Sequence, residues 1–354
     1  MTVLVILHHT AITYGAIGGW FWHEVQPSRT PSSILLILFC TTNQAYFMGF
    51  FFLLAGYFTP ASLDRKGYRQ FILDRLIRLG IPILAFGLLL GPLTAAMVTA
   101  AEGDGFWATF AAIWHHKEFS PGPLWFAEAL LIFSFSYVLI RRLAGPQPGA
   151  LGIATQAPTP VPSWRDWFLC ALIVGAGALA LRQVFPIGTS LFGYWAIYVI
   201  LFVVGIRARP RNWLAQLSWK NARPWVITAC VVWPSLPLGW KFAGDHANVN
   251  TGFSWPAILY AFWEPFIAWG LIAQWLLVFR ERFNRPSAVW NWLNRRAYAV
   301  YIIHPPVLVA VSLLLHGWIA PALVKFSAVG LLACAATWLL ADPLVRLPGV
   351  RNVV

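Results

Sequence analysis

The sequence predicts an all-α fold, a polytopic integral membrane bundle, and three observations carry that reading. Of the 354 residues, 59% are hydrophobic and only 10% charged, with a mean hydropathy of +0.66. A soluble domain carries about 25% charged residues. Apolar runs near the ~20 residues that a bilayer requires recur along the whole chain. Basic residues collect in alternate connections, as membrane topology demands.

Ten spanning helices follow, over 1–22, 32–57, 80–100, 123–140, 167–185, 190–206, 224–242, 255–279, 297–315 and 321–341. The first opens at Met1 with no basic flank, so no cleavable leader is expected and a natural start upstream of Met1 is. Gly56 and Pro60 are expected to end the second helix. An amphipathic helix carrying Arg75 and Arg78 on one face then leads to the third. The fourth opens with Leu124-Trp125-Phe126-Ala127-Glu128, after Pro121-Gly122-Pro123. The stretch 142–164, rich in Pro, Gly, Ala and Thr, reads as a flexible cytoplasmic linker within a single membrane domain spanning 1–354. Outer loops over 101–122 and 243–254, the latter with Asp245 and His246, are long enough to shape a site. Tyr298, Tyr301, His304, Pro305 and Pro306 mark the ninth helix.

The net charge of +13 raises the possibility of a nucleic-acid partner, which the placement of the charges excludes. Twenty of the 25 Lys and Arg fall in the connections after even-numbered helices and in the C-terminal tail. Both termini are therefore expected on the cytoplasmic side. Arg182, Lys241 and Lys325 sit near outer helix ends, where long stems can snorkel to the interface. Cys40, Cys170, Cys230 and Cys334 lie in apolar segments without metal-ligand spacing. They read as buried small hydrophobes, and no metal is expected.

Titratable groups within spans are costly and mark sites by default. His8 and His9 lie in the first span. The helix from His9 to Trp22 rises about 20 Å, which sets His9 in the cytoplasmic half or near mid-membrane. A neutral imidazole there suits a general base for a hydroxyl; a histidine bonded to a neighbouring helix is the plainer alternative. His8 points about 100° away. Arg75 and Arg78, with Arg69 nearby, suit phosphate oxygens, or else set topology and bind membrane lipid headgroups. Glu128 could bind acceptor hydroxyls, position a base, or pair with a cation such as Arg182. His304, two turns into the ninth helix, is a site residue or a cap on the proline kink. Glu264, before Pro265, has a similar standing.

Taken in order, the first-helix histidine, the block FMGFFFLLAGYF with the following RLIRLGIP, the PLWF block and the YxxYIIHP block resemble the membrane-bound acyltransferase 3 family along essentially the whole chain. The resemblance implies acyl transfer, often of acetyl or succinyl, from cytoplasmic acyl-CoA to a hydroxyl of an extracytoplasmic glycan, lipid or small molecule. It implies His9, with His8 second, as the catalytic histidine, the choice resting on its spacing to Tyr14. It implies Arg75 and Arg78 on the acyl-CoA side, and Glu128 as the acid after a tryptophan. The family also carries a basic residue upstream of the histidine, at a position that here falls before Met1. Asn43, Gln44 and Tyr46 are polar candidates beside the reacting carbonyl, and Tyr14, Asn43, Gln44, Glu264 and His304 candidates along the substrate path. The resemblance favours a bacterial inner membrane. Other readings are a proton-coupled carrier or flippase using His9, His304, Glu128 and Glu264, and a non-catalytic relative.

Overall fold

The computed structural model describes residues 1–145, 159–187, 191–244 and 249–353. Most of the linker expected over 142–164, together with Asp245 and His246, lies outside the described residues. Every regular element among the described residues is helical. In chain order these are α1 (Thr2–Thr13), α2 (Pro31–Arg75), α3 (Ile81–Ala85), α4 (Gly91–Ala101), α5 (Phe106–His115) and α6 (Trp125–Leu143). Then come α7 (Trp164–Val184), α8 (Trp195–Arg211), α9 (Trp213–Gln216), α10 (Trp219–Val232) and α11 (Ser235–Ala243). The last are α12 (Trp255–Val278), α13 (Ala288–Leu314), α14 (Ala322–Leu344) and α15 (Val350–Val353). Eight stretches among the described residues are long and apolar enough to cross a membrane. The expected second and third spans fall in one 71-residue run, Pro31–Ala101, and the first expected span is replaced by the 12-residue α1.

The chain divides into two compact units. The first comprises Met1–Thr41, Ile72–Phe135 and Pro286–Val354. Here the expectation of a helix over 1–22 fails. The chain leaves α1 after Thr13 and turns through Gly15, at φ 120°. The amides of Glu24 and Val25 then donate to the Thr13 carbonyl at 2.9 and 3.1 Å. The loop thus satisfies an acceptor that a helix C-terminus leaves open, and it folds back along α1 instead of extending it. Ala16 is fully buried by that fold. Thr30 then caps α2, accepting from the Ser33 amide, with Pro31 in the first turn. Ile6 and Ile12 of α1, Val300 and Leu308 of α13, and Val329 and Ala333 of α14 form the apolar core of this unit.

The second unit comprises Thr42–Phe71 and Ser136–Arg285. Gly56 and Pro60 do not end α2, which continues to Arg75. Gly56 instead meets Gly205 of α8 where the two helices cross. A Cβ on Gly56 would fall 2.1 Å from the Phe202 carbonyl oxygen, and one on Gly205 2.1 Å from the Leu53 carbonyl oxygen. Small residues allow this close backbone approach between membrane helices. The real interruption is at Gly67, whose φ of 72° breaks the helical run. Ser163 and Asp166 form a reciprocal capping box that starts α7. Ala45, Ala229, Leu236, Trp263 and Ile267 fill the core.

Three expectations about side chains are corrected. Arg182 does not snorkel, and Glu128 is not its partner: Arg182 is 1% exposed and forms an ion pair with Glu264, itself 3% exposed. Lys325 is also buried rather than snorkelling, held in an ion pair by Glu24. Cys40 is buried, but Cys230 is exposed, so that cysteine does not fill a core.

Candidate active site

The site in the first unit is built on three helices and one loop. His9 lies on α1, four residues from its end, so the 20 Å of helix expected beyond it is absent. The loop returns Trp20 onto His9, ring centroids 3.9 Å apart and planes 15° from parallel. His304 of α13 lies 5.4 Å from His9 with the rings inclined by 19°. Trp20 and His304 are 6.0 Å apart, so the three rings form one nearly parallel cluster. His8 meets His9 edge-on at 5.5 Å, as its position around the helix requires. Its carbonyl accepts from the Cys40 thiol at 3.5 Å.

The proline pair explains the state of His304. Pro305 has no amide hydrogen, so the carbonyl of Tyr301, four residues earlier, lacks its helical donor. His304 Nδ1 takes that place at 2.6 Å. A carbonyl can only accept, so Nδ1 carries the proton in the neutral ring and Nε2 keeps its lone pair. That Nε2 is buried and makes no hydrogen bond in the structure, as is true of His9 Nδ1. The two histidines thus present bare ring nitrogens in a packed, aromatic setting.

From His304 a ladder of rings runs back along one face of α13. Tyr301 stacks on His304 at 5.9 Å and Tyr298 on Tyr301 at 6.4 Å. The spacing of three residues puts the three rings one above another. Each tyrosine hydroxyl is tied to a different segment. Tyr298 donates to the Arg78 carbonyl at 2.6 Å, and Tyr301 donates to the Pro123 carbonyl. Phe126 meets Tyr301 edge-on at 6.4 Å. Arg75 shares its electrostatic surroundings with Arg78, Asp74 and Tyr298. One face of α13 therefore joins the arginine segment, the PLWF segment and His9. The rise from Tyr298 to His304 is about 9 Å.

Glu128 sits in the first turn of α6 and is exposed. Tyr14 is fully buried, its hydroxyl facing Glu24 and Ser312. Glu24 also faces His316 at 3.6 Å. Trp20 and Glu24 escaped the sequence reading, as did the pairing of Glu24 with Lys325. The Lys325–Glu24 pair anchors the loop that carries Trp20, and the signal for it was an acid just beyond an apolar run that is rich in glycine. Arg69, Asn43, Gln44 and Glu264 belong to the second unit. There Asn43 is buried, and Gln44 donates to the Tyr198 hydroxyl at 3.0 Å. Arg69 is exposed. Glu264 is held by Arg182, whose guanidinium lies over the rings of Tyr260 and Tyr194 at 4.9 and 5.4 Å. Among the described residues, no group of three or more His, Cys, Asp or Glu could hold a metal ion.

The family model Acyl_transf_3, described as an acyltransferase domain, matches residues 1–342. The chain belongs to this acyltransferase family. No curated protein and no solved structure matches it. With its apolar helices, the membership makes the chain an integral membrane protein and a membrane acyltransferase.

Proposed function

We propose that this acyltransferase moves an acyl group, acetyl or succinyl by preference, from acyl-CoA to a hydroxyl of a glycan, lipid or small molecule on the far side of a bacterial inner membrane. Arg75 and Arg78 bind the phosphates of CoA at the cytoplasmic face. His9 takes the proton of the acceptor hydroxyl as its oxygen attacks the thioester carbonyl. The C–O bond forms, the C–S bond breaks, and the imidazolium returns its proton to the departing thiolate. Glu128 receives the acceptor, and His8 packs behind His9.

The observation that carries this reading is the ring ladder on α13, which links the Arg78 segment to His9. It brings a cationic segment suited to phosphate and a histidine suited to proton abstraction into one unit. The engagement of Glu264 by Arg182 weighs against a proton relay through that acid. The test is release of free CoA thiol from acetyl-CoA by membranes containing the protein, with and without added envelope glycan and lipid fractions. Acceptor-dependent release supports transfer. Proton-coupled flux of a solute with no thiol release would replace it with a carrier.

A further inference from the structure

Lys325 lies in the first turn of α14 and is 7% exposed, and acyl transfer as proposed gives it no part. Its ammonium joins three segments of the first unit. Carried by α14, it pairs with Glu24 Oε1 of the loop after α1 and donates to the His316 carbonyl, beyond the end of α13, at 3.2 Å. The Glu24 side chain is 6% exposed. Its second oxygen lies 3.6 Å from His316 Nδ1, and the Tyr14 hydroxyl faces the same carboxylate.

Stability alone does not account for this pair. Each ion gives up its hydration, and an apolar pair of similar volume is often as stable. What an apolar pair lacks is direction. A carboxylate held by an ammonium that is itself bonded to the His316 carbonyl fixes where residue 24 sits relative to α13 and α14.

That position matters because of Trp20, four residues earlier. Ile17, Gly18 and Gly19, just before it, are exposed. Its own Nε1 makes no hydrogen bond in the structure. The indole is therefore kept on His9 by the stack itself, at 3.9 Å, and by the fixing of the loop that carries it. At the near end Ser33 Oγ donates to the Gly15 carbonyl. Within the loop His23 Nε2 donates to the Gly18 carbonyl at 3.1 Å. At the far end the Glu24 and Val25 amides hold the Thr13 carbonyl, and Lys325 holds the Glu24 side chain.

We propose that Lys325 and Glu24 are positioning residues for acyl transfer. Their ion pair fixes the far end of the loop, the loop keeps Trp20 stacked on His9, and the stack keeps the imidazole oriented for proton abstraction. Small misplacements of a reacting group lower turnover without weakening substrate binding. The proposal rests on the reading of His9 as the base.

The test is steady-state transfer from acetyl-CoA by the full chain in proteoliposomes. Glu24→Gln with Lys325→Met removes both charges at nearly constant volume and leaves no unpaired buried ion. Its kcat is expected to fall by up to about tenfold, the loss that the stack on His9 supports, with KM for acetyl-CoA unchanged. Adding Trp20→Ala to this pair variant is expected to give the turnover of Trp20→Ala alone, because residues acting through one contact are coupled. Amide hydrogen exchange supplies a second readout. The Glu24 and Val25 amides are expected to be protected in wild type and to exchange roughly tenfold faster in the pair variant, as a locally loosened segment does. Wild-type kcat in the pair variant, or losses that multiply when Trp20→Ala is added, overturns the proposal. Rapid exchange of the two amides in wild type also overturns it, and that measurement stands even if the pair variant does not fold. Absence of transfer by wild type would fail the acyl-transfer reading instead. Exchange in the pair variant then still decides whether the pair fixes the loop, and unchanged exchange overturns that role.

Discussion

Glu264→Gln removes the negative partner of a guanidinium that is 1% exposed within the second unit. Two opposite charges about 4 Å apart interact by about 4 kcal/mol at an effective dielectric constant near 20. Breaking a buried pair by removing one member costs about 3–5 kcal/mol, because the other charge remains desolvated. The Arg182 surroundings offset part of this. Its Nε still donates to the Gly193 carbonyl at 3.3 Å, and the Tyr260 and Tyr194 rings still face it. The expected loss therefore lies at the lower end, about 3 kcal/mol, or a fall in Tm of roughly 6–12 °C at ~2–4 °C per kcal/mol. Arg182→Met with Glu264→Met should recover most of that, since an apolar pair of similar volume is often neutral. Thermal unfolding in detergent, followed by the loss of monodisperse protein, measures all three. Full stability of Glu264→Gln together with loss of activity would refute the reasoning and make Glu264 a proton carrier. A double variant as damaged as the sum of the single variants would refute it as well.

Other outcomes follow from the first unit and from the helix crossing. Trp20→Ala removes a ring stacked on His9 at 3.9 Å. Aromatic stacking contributes about 0.5–1.5 kcal/mol, so turnover should fall by up to about tenfold with KM for acyl-CoA unchanged, and Trp20→Phe should retain most of it. Arg75→Gln and Arg78→Gln should each raise KM for acyl-CoA roughly 10- to 100-fold, from the ~1.5–3 kcal/mol of a charged hydrogen bond, with kcat little altered; steady-state kinetics in membranes read both. Gly56→Ala sets a Cβ against the Phe202 carbonyl and should destabilise by about 1–3 kcal/mol. Gly317→Ala, where nothing lies within 4 Å, should leave thermal stability unchanged.

Hydropathy and charge made most of the bundle legible, because length and lipid exposure constrain spanning helices strongly. Residues 14–22 show where that signal stops. Tyr14-Gly15-Ala16-Ile17-Gly18-Gly19-Trp20-Phe21-Trp22 is apolar enough to extend a span. It instead buries Ala16 and half-buries Trp20 by folding back on α1. A window average cannot distinguish a residue buried against protein from one facing lipid. The same limit hid the pairing of Arg182 with Glu264, since 82 positions separate them and spacing along the chain selects no partner. The YxxYIIHP block was legible as chemistry but not as architecture. Both the stacking of Tyr298, Tyr301 and His304 on one face and the carbonyls of Arg78 and Pro123 that anchor the tyrosines emerged only from packing. His304 was expected as a kink cap or a site residue. The structure gives it the first role and leaves its Nε2 buried without a hydrogen bond.

The central claim is that His9 removes the acceptor proton during acyl transfer. It is tested most directly by following labelled acetyl from acetyl-CoA into the glycan and lipid fractions, using purified protein in proteoliposomes. Wild type, His9→Ala and His304→Ala are compared at matched, folded amounts. The account predicts transfer by wild type, none above background by His9→Ala, and reduced but measurable transfer by His304→Ala. Transfer by His9→Ala at the wild-type rate would contradict it.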